Sequence, residues 1–580
     1  QPAAGSLRVS DGTLTLTADA VVDAQLGLQV SGGTLTALTD LTPSSITISG
    51  GTARLEAEVD IAPNSLTLSG GTLSYGSTLS TASFAGSGGT LAGGTLSTTG
   101  NSSLTGNVTL RDGLWENSGT LTLSGGSARL TFDDTLPADS TAEDIKPRLT
   151  NLAPDTASPD GGVIAMSSTN LQPFYATSNT GEQEFFDNHG ILNWNADYDS
   201  FGYSRISQVD FSNSGTVTVA DGANLELENS SGTDTGTYRI NPGQFVRHGG
   251  GTRSFSGVLE AIAPDPAADP QPAPGSLRIS NGTLTLEADA VVDSLPGLQV
   301  SGGTLSTLRD LTLSNLTITG GTLLNNASLS AASFSGSGGT LAGGTLSTTG
   351  NSSLTGNVTL RDGLWENSGT LTLSGGSARL TFDDTLPADS TAEDIKPRLT
   401  NLAPDTASPD GGVIAMSSTN LQPFYATSNT GEQEFFDNHG ILNWNADYDS
   451  FGYSRISQVD FSNSGTVTVA DGANLELENS SGTDTGTYDI AAGQYVTFNN
   501  GSRSFADGSM FSGAGEFRRS GSALLSLAGE TTGLTIAEET SIDLNALAFQ
   551  GNGVLTNRGV ITGGSPLGGV IAPRLHNLGT

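Results

Sequence analysis

Two stretches of this chain are the same sequence, yet the copies differ in length by one short period. Residues 86–238 reappear as 336–488 without a single difference, at an offset of 250. Upstream, "QPAAGSLRVSDGTLTL" from Gln1 matches "QPAPGSLRISNGTLTL" from Gln271, and there the offset is 270. A recurring Gly-Thr edge marks where the 20 residues were lost. In the first copy its threonines stand at 13, 34, 52, 72 and 90, in steps of 21, 18, 20 and 18; in the second they stand at 283, 304, 322 and 340, in steps of 21, 18 and 18. A globular domain rarely survives removal of 20 consecutive strand-forming residues, because each strand is paired in register with particular neighbours. A solenoid survives it, since each coil touches only the coils before and after it.

The period suits three short strands and three turns per coil. Between Thr13 and Gly33 the strand-like runs are "TLTLT", "AVVDA" and "LGLQVS", with turns at Ala18-Asp19, near Gln25 and at Gly32-Gly33. Alternating β-branched and polar residues of this kind exclude a disordered chain. The expected fold is all-β: a right-handed parallel β-helix, or β-solenoid, with coils of about 18–25 residues, tandemly duplicated. Leucine-rich repeats are the alternative, but their Leu/Asn consensus and helical segments are missing. A second motif places Asn just before a Gly corner, at Asn117, Asn188, Asn213 and Asn557. Asn there tolerates left-handed backbone and can bond to an Asn stacked above it.

The expected layout is a first solenoid copy at 1–263, a Pro/Ala/Asp connector at 264–275, a second copy at 276–502 and further coils at 503–580, with the sequence expected to stop inside a further round of the array. Acidic, proline-bearing excursions are expected at 131–162 and 381–412.

Composition narrows the function classes. With 22 basic and 59 acidic residues the net charge is -37, which repels nucleic acid and anionic membrane. No run reaches the ~18 apolar residues of a membrane-spanning helix. Cysteine is absent, which removes disulfides, thiolate metal sites and thiol nucleophiles.

The stretch "GTYDIAAGQYVTFNNGSRSFADGSMFSGAGEF", residues 486–517, together with the recurrent "GTLTLSGG", resembles the repeats of giant bacterial surface and secreted β-helix proteins: filamentous-haemagglutinin-like adhesins and autotransporter passengers. The resemblance implies an extracellular or cell-surface location and a structural or adhesive rod or fibre, as in a biofilm matrix. The implied partners are other copies of the chain, end to end or side by side, or surface and matrix glycans. Nucleic acid and a membrane span are not expected.

Parallel β-helices also host polysaccharide-degrading enzymes, which need carboxylates at a defined separation. Asp133-Asp134 and Asp383-Asp384 are adjacent on a strand and so point to opposite faces, which is no acid and base pair. The four histidines read as turn residues, no catalytic residue is assigned, and the chain is expected not to be an enzyme. Calcium is the one candidate cofactor, on Asn195, Asp197 and Asp199 of "NADYDS" and on Asn445, Asp447 and Asp449 of its copy; a calcium loop's usual Gly and distal carboxylate are absent. The candidate ligand-binding residues are Tyr175, Trp194, Tyr198 and Tyr203, with Trp444 and Tyr448 in the second copy. They come from the cluster Phe174, Tyr175, Phe185, Phe186, Trp194, Tyr198, Phe201 and Tyr203, whose rings could stack on sugars or fill the core of an enlarged coil.

Overall fold

The computed structural model describes residues 5–20, 26–39, 41, 43–56, 61–134, 146–156, 159, 161–177, 184–196, 202–267, 270, 273, 275–293, 297–384, 396–406, 411–427, 434–446, 452–563 and 574–580. The chain packs as two compact units, residues 1–297 and 298–580. Each is a parallel β-solenoid. The packing boundary follows the first coil of the second copy, because Ser276–Leu286 pairs along its length with Phe245–Phe255 and Val291–Asp293 pairs with Val258–Ala261. The one helical element among the described residues is a single turn, Leu544–Leu547.

The recurring threonines are the registration marks of the coils. In the first unit Thr13 pairs with Thr34, Thr34 with Thr52, Thr52 with Thr72 and Thr72 with Thr90. In the second, Thr304 pairs with Thr322 and Thr322 with Thr340. One sequence period is therefore one coil, and the first copy carries one coil more. The Gly-Gly before Thr34, Thr52, Thr72 and Thr90 is needed because corners stack backbone on backbone. Gly51 has φ +69°, and a Cβ there would lie 2.3 Å from the carbonyl oxygen of Gly33 in the coil below.

Three ladders of strands enclose the core of the first unit. One runs through Asn101–Leu104, Thr120–Ser124, Val163–Ser167, Ile191–Trp194, Thr216–Val219, Thr237–Ile240 and Val258–Ala261. A second runs through Asn107–Arg111, Arg129–Asp133, Phe174–Ala176, Ser204–Ser207, Leu225–Glu228 and Phe245–Phe255. The third runs through Thr95–Thr98, Leu114–Asn117, Arg148–Asn151, Phe185–Asn188, Asp210–Asn213 and Gly232–Asp234, and also reaches Phe255. Period-2 alternation sends Leu149, Phe186 and Phe211 inward, one above the other, and their neighbours outward.

The third ladder carries the feature that fixes its corner. Thr98, Asn117, Asn151, Asn188, Asn213 and Asp234 occupy one position in successive coils, and all are buried. Each asparagine amide donates to the next: Asn117 Nδ2 to Asn151 Oδ1 at 2.8 Å, Asn151 to Asn188 at 2.8 Å, and Asn188 to Asn213 at 2.7 Å. The Thr98 hydroxyl closes the lower end, donating to Asn117 Oδ1 and accepting from Trp115 Nε1. The second unit repeats the ladder through Asn367, Asn401, Asn438 and Asn463, and Asn557 donates to Asn577 at 2.7 Å in the last coils.

Two coils of this region exceed the expected 18–25 residues: the ladder amides are 34 and 37 residues apart there, and 25 apart at the next step. The expected excursion at 131–162 is thus interrupted, because Arg148–Asn151 is a regular rung.

Asn188→Asp should lower the unfolding midpoint in urea by an amount equivalent to about 3 kcal/mol or more, because the ladder loses a donor and two acceptors face each other in the core. Asn193→Asp, on the exposed side of the neighbouring strand, should stay within about 0.5 kcal/mol of the parent in the same titration.

Candidate functional site

The aromatic cluster expected to bind ligand is divided by strand alternation. Phe174, Phe186 and Trp194 point inward and are fully buried, with Phe174 and Phe186 centroids 4.7 Å apart. Trp194, like Trp444, is therefore a core residue and not a binding platform. It shares the inward parity of Leu192, stacks in register between Met166 and Val219, and donates Nε1–H to the Asn224 carbonyl at 3.1 Å. Asp197, Tyr198, Asp199, Phe201, Asp447, Tyr448 and Asp449 lie outside the described residues. Asn195 and Asn445 are exposed, and no group of three or more metal-ligating side chains occurs among the described residues. Asp133 and Asp134 are both buried where the strand ends, each paired with its own cation, Arg111 at 2.8 Å and Lys146 at 2.9 Å.

Tyr175 and Tyr203 do face outward, and each meets an arginine. Arg129 lies over the Tyr175 ring at 5.3 Å, and Arg205 over Tyr203 at 5.3 Å. These belong to the outer side of the second ladder, where Arg205, Glu226, Arg247 and Arg278 stand in register on four successive coils. Arg205 Nη1 reaches Glu228 at 2.7 Å and its Nε lies 3.0 Å from Glu226. Arg247 reaches the other oxygen of Glu226 at 3.4 Å, donates to Ser280 Oγ at 2.8 Å and lies 5.5 Å from the Tyr203 centroid. Arg278 lies over the Phe245 ring at 3.8 Å, and its Nε donates to Ser276 Oγ at 3.4 Å. Burial raises the Glu226 carboxyl against the pull of Arg247 and Arg205; burial, then the adjacent Arg247, lowers Arg278.

The same face in the second copy is altered at two points. Thr497 replaces Arg247, and Arg518, 3.8 Å over Tyr495, is paired with Glu516 at 2.7 Å. Sequence reading missed these arginines because they are isolated single residues, brought together only by coil stacking.

A second polar cluster lies inside the first unit, where the asparagine ladder ends. Arg253 Nη1 donates to Asp234 Oδ2 and to the Phe211 carbonyl, each at 2.8 Å, and Tyr238 donates to Asp234 Oδ1 at 2.9 Å. Desolvation pushes the Asp234 carboxyl above its usual range against the pull of Arg253. Beside them is His248, which is buried and not a turn residue; His189 and His439 do sit at exposed turns. Leu227, Asp234, Tyr238, His248 and Arg253 line a cavity of about 20 Å³. That volume suits one water and no organic substrate. The second copy keeps Asp484, Tyr488 and Arg503 in the same pairing and places Phe498 where His248 stands.

Family models, curated proteins and solved structures were compared with this chain, and none matches. The class is defined by the fold itself: a parallel β-solenoid of tandem repeats with an arginine and aromatic outer face.

Trp194→Ala should destabilise the first unit by about 3–5 kcal/mol in denaturant unfolding, the usual cost of a large core deletion. The His248 imidazole is lowered from 6.5 to about 4, first by burial and then by Arg253. The unfolded chain therefore takes up a proton that the fold refuses, and stability should fall as pH drops from about 6.5 to about 4. His248→Phe, which reproduces the second copy, should flatten that part of the pH–stability curve relative to the parent. Asp234 and Glu226 remain in both proteins, so their titration cancels in the comparison.

Proposed function

We propose that this chain is a structural and adhesive segment of a protein displayed outside a bacterial cell, whose work lies in repetition and not in turnover. The observation that carries this reading is coil interchangeability: the copies differ by one whole coil, yet the threonine register continues on both sides of the difference. A protein whose function is extension tolerates that change, whereas a catalytic centre assembled across coils would be displaced by it. Two observations support the non-enzymatic part of the reading. Asp133 and Asp134 are each tied to a cation, and the interior cavity of the first unit is water-sized. The resemblance of the 486–517 repeats to adhesin repeats supports the extracellular location.

The finer version is a polymer of such segments. Like charge keeps copies apart at low ionic strength, and cations screen the repulsion. A glycan-binding role is the second reading, favoured by the half-exposed Tyr175 and Tyr203 beside their arginines.

Antibody labelling and protease shaving of intact cells that make the protein test the location. Labelling without lysis is expected, and labelling that requires lysis would overturn the extracellular role. Sedimentation velocity tests the polymer: the weight-average mass should rise with added salt or divalent cation, and an unchanged monomer across that series would remove self-association.

A further inference from the structure

On the outer face of the second ladder the sign of the charge reverses. In a chain of net charge -37, the guanidinium groups of Arg205, Arg247 and Arg278 there outnumber the carboxylates of Glu226 and Glu228. Glu226 and Glu228 lie on the Arg205 side of Arg247. Beyond Arg247 the next rung brings another cation, Arg278, in direct register, about 4.8 Å away. Like charges on adjacent rungs are unfavourable unless an anion sits between them. Arg278 has no carboxylate partner among the described residues; it holds only the Phe245 ring and the Ser276 hydroxyl.

We propose that the Arg247–Arg278 step of the first copy, with Tyr203 beside it, binds the carboxylates of an acidic polysaccharide. A planar guanidinium already laid on an aromatic ring loses little freedom on pairing and offers two parallel N–H donors to a carboxylate. Tyr203 supplies an edge against which a sugar ring can pack, and the Ser276 and Ser280 hydroxyls supply partners for sugar hydroxyls. A polymer with one charge per ring suits a site of two cations. A nucleic acid, with denser charge, meets the repulsion of the acidic remainder of the chain. The second copy is a built-in contrast: with Thr497 for Arg247 and Glu516 paired to Arg518, it lacks the uncompensated step.

This inference names a ligand class for the adhesive reading above, but it is tested on purified protein, so the two can fail separately. Oligogalacturonate is titrated into the full chain by calorimetry, with dextran as the neutral polymer and polyglutamate as the acidic peptide. Binding of oligogalacturonate that weakens with added salt is expected, with dextran silent and polyglutamate weaker. Arg278→Ala and Arg247→Thr should each weaken it about tenfold, the scale of one charged hydrogen-bonded contact, and Arg518→Ala should leave it unchanged. Unaltered thermal midpoints would show that the variants are folded. The inference is overturned if either first-copy variant binds as the parent does, if dextran binds equally, or if polyglutamate matches the glycan. Binding that persists when intact cells cannot be labelled would keep the site and remove the surface role.

Discussion

Everything else in this structure depends on the parallel stacking of equivalent residues, coil upon coil, with backbone hydrogen bonds along the stack. Once a residue occupies a rung, its counterparts lie about 4.8 Å above and below it. An inward polar residue is then costly unless its neighbours in the stack complement it. Asparagine meets this condition with itself, because one amide both donates and accepts. The run from Asn117 to Asn213 therefore sustains a buried polar column in which each amide satisfies the next.

The column must end somewhere, and its ends show the same rule. At the lower end the Thr98 hydroxyl accepts from Trp115 and donates to Asn117. At the upper end Asp234 replaces asparagine, accepting from Arg253 and Tyr238 before the stack turns apolar at Phe255. Such a buried ion pair adds little net stability over an apolar core, but removing either member would strand the other. Its retention in both copies, while the adjacent position changed from His248 to Phe498, fits a group whose partners are all in the stack.

The outer faces are governed by the same geometry with weaker penalties, because water can satisfy what the stack does not. That freedom permits Arg247 and Arg278 to lie in register in one copy while the other has a threonine at the first place and a paired arginine at the second. Identical scaffolds can thus carry different surface chemistry. A protein built of such coils diversifies by changing outward residues and lengthens by adding whole periods.

Sequence alone determined the period, because a Gly-Thr corner can recur at steps of 18–21 residues only if it marks equivalent points of successive coils. It also determined the fold class and the stacking of asparagine on asparagine, since both follow from local pattern and repetition, whereas the left-handed backbone expected at those corners is absent: Asn117, Asn188, Asn213 and Asn557 each end a strand. The assignment of faces was decided by tertiary structure. Trp194 and Tyr203 lie nine residues apart in one aromatic-rich segment, yet one fills the core and the other meets solvent. Their parity depends on where each strand starts after a corner, which no period specifies. The arginine face was illegible for a related reason: Arg205, Arg247 and Arg278 are separated by dozens of residues of no distinctive pattern, and only the lengths of the intervening coils bring them into one register column, with Arg247 and Arg278 on neighbouring rungs.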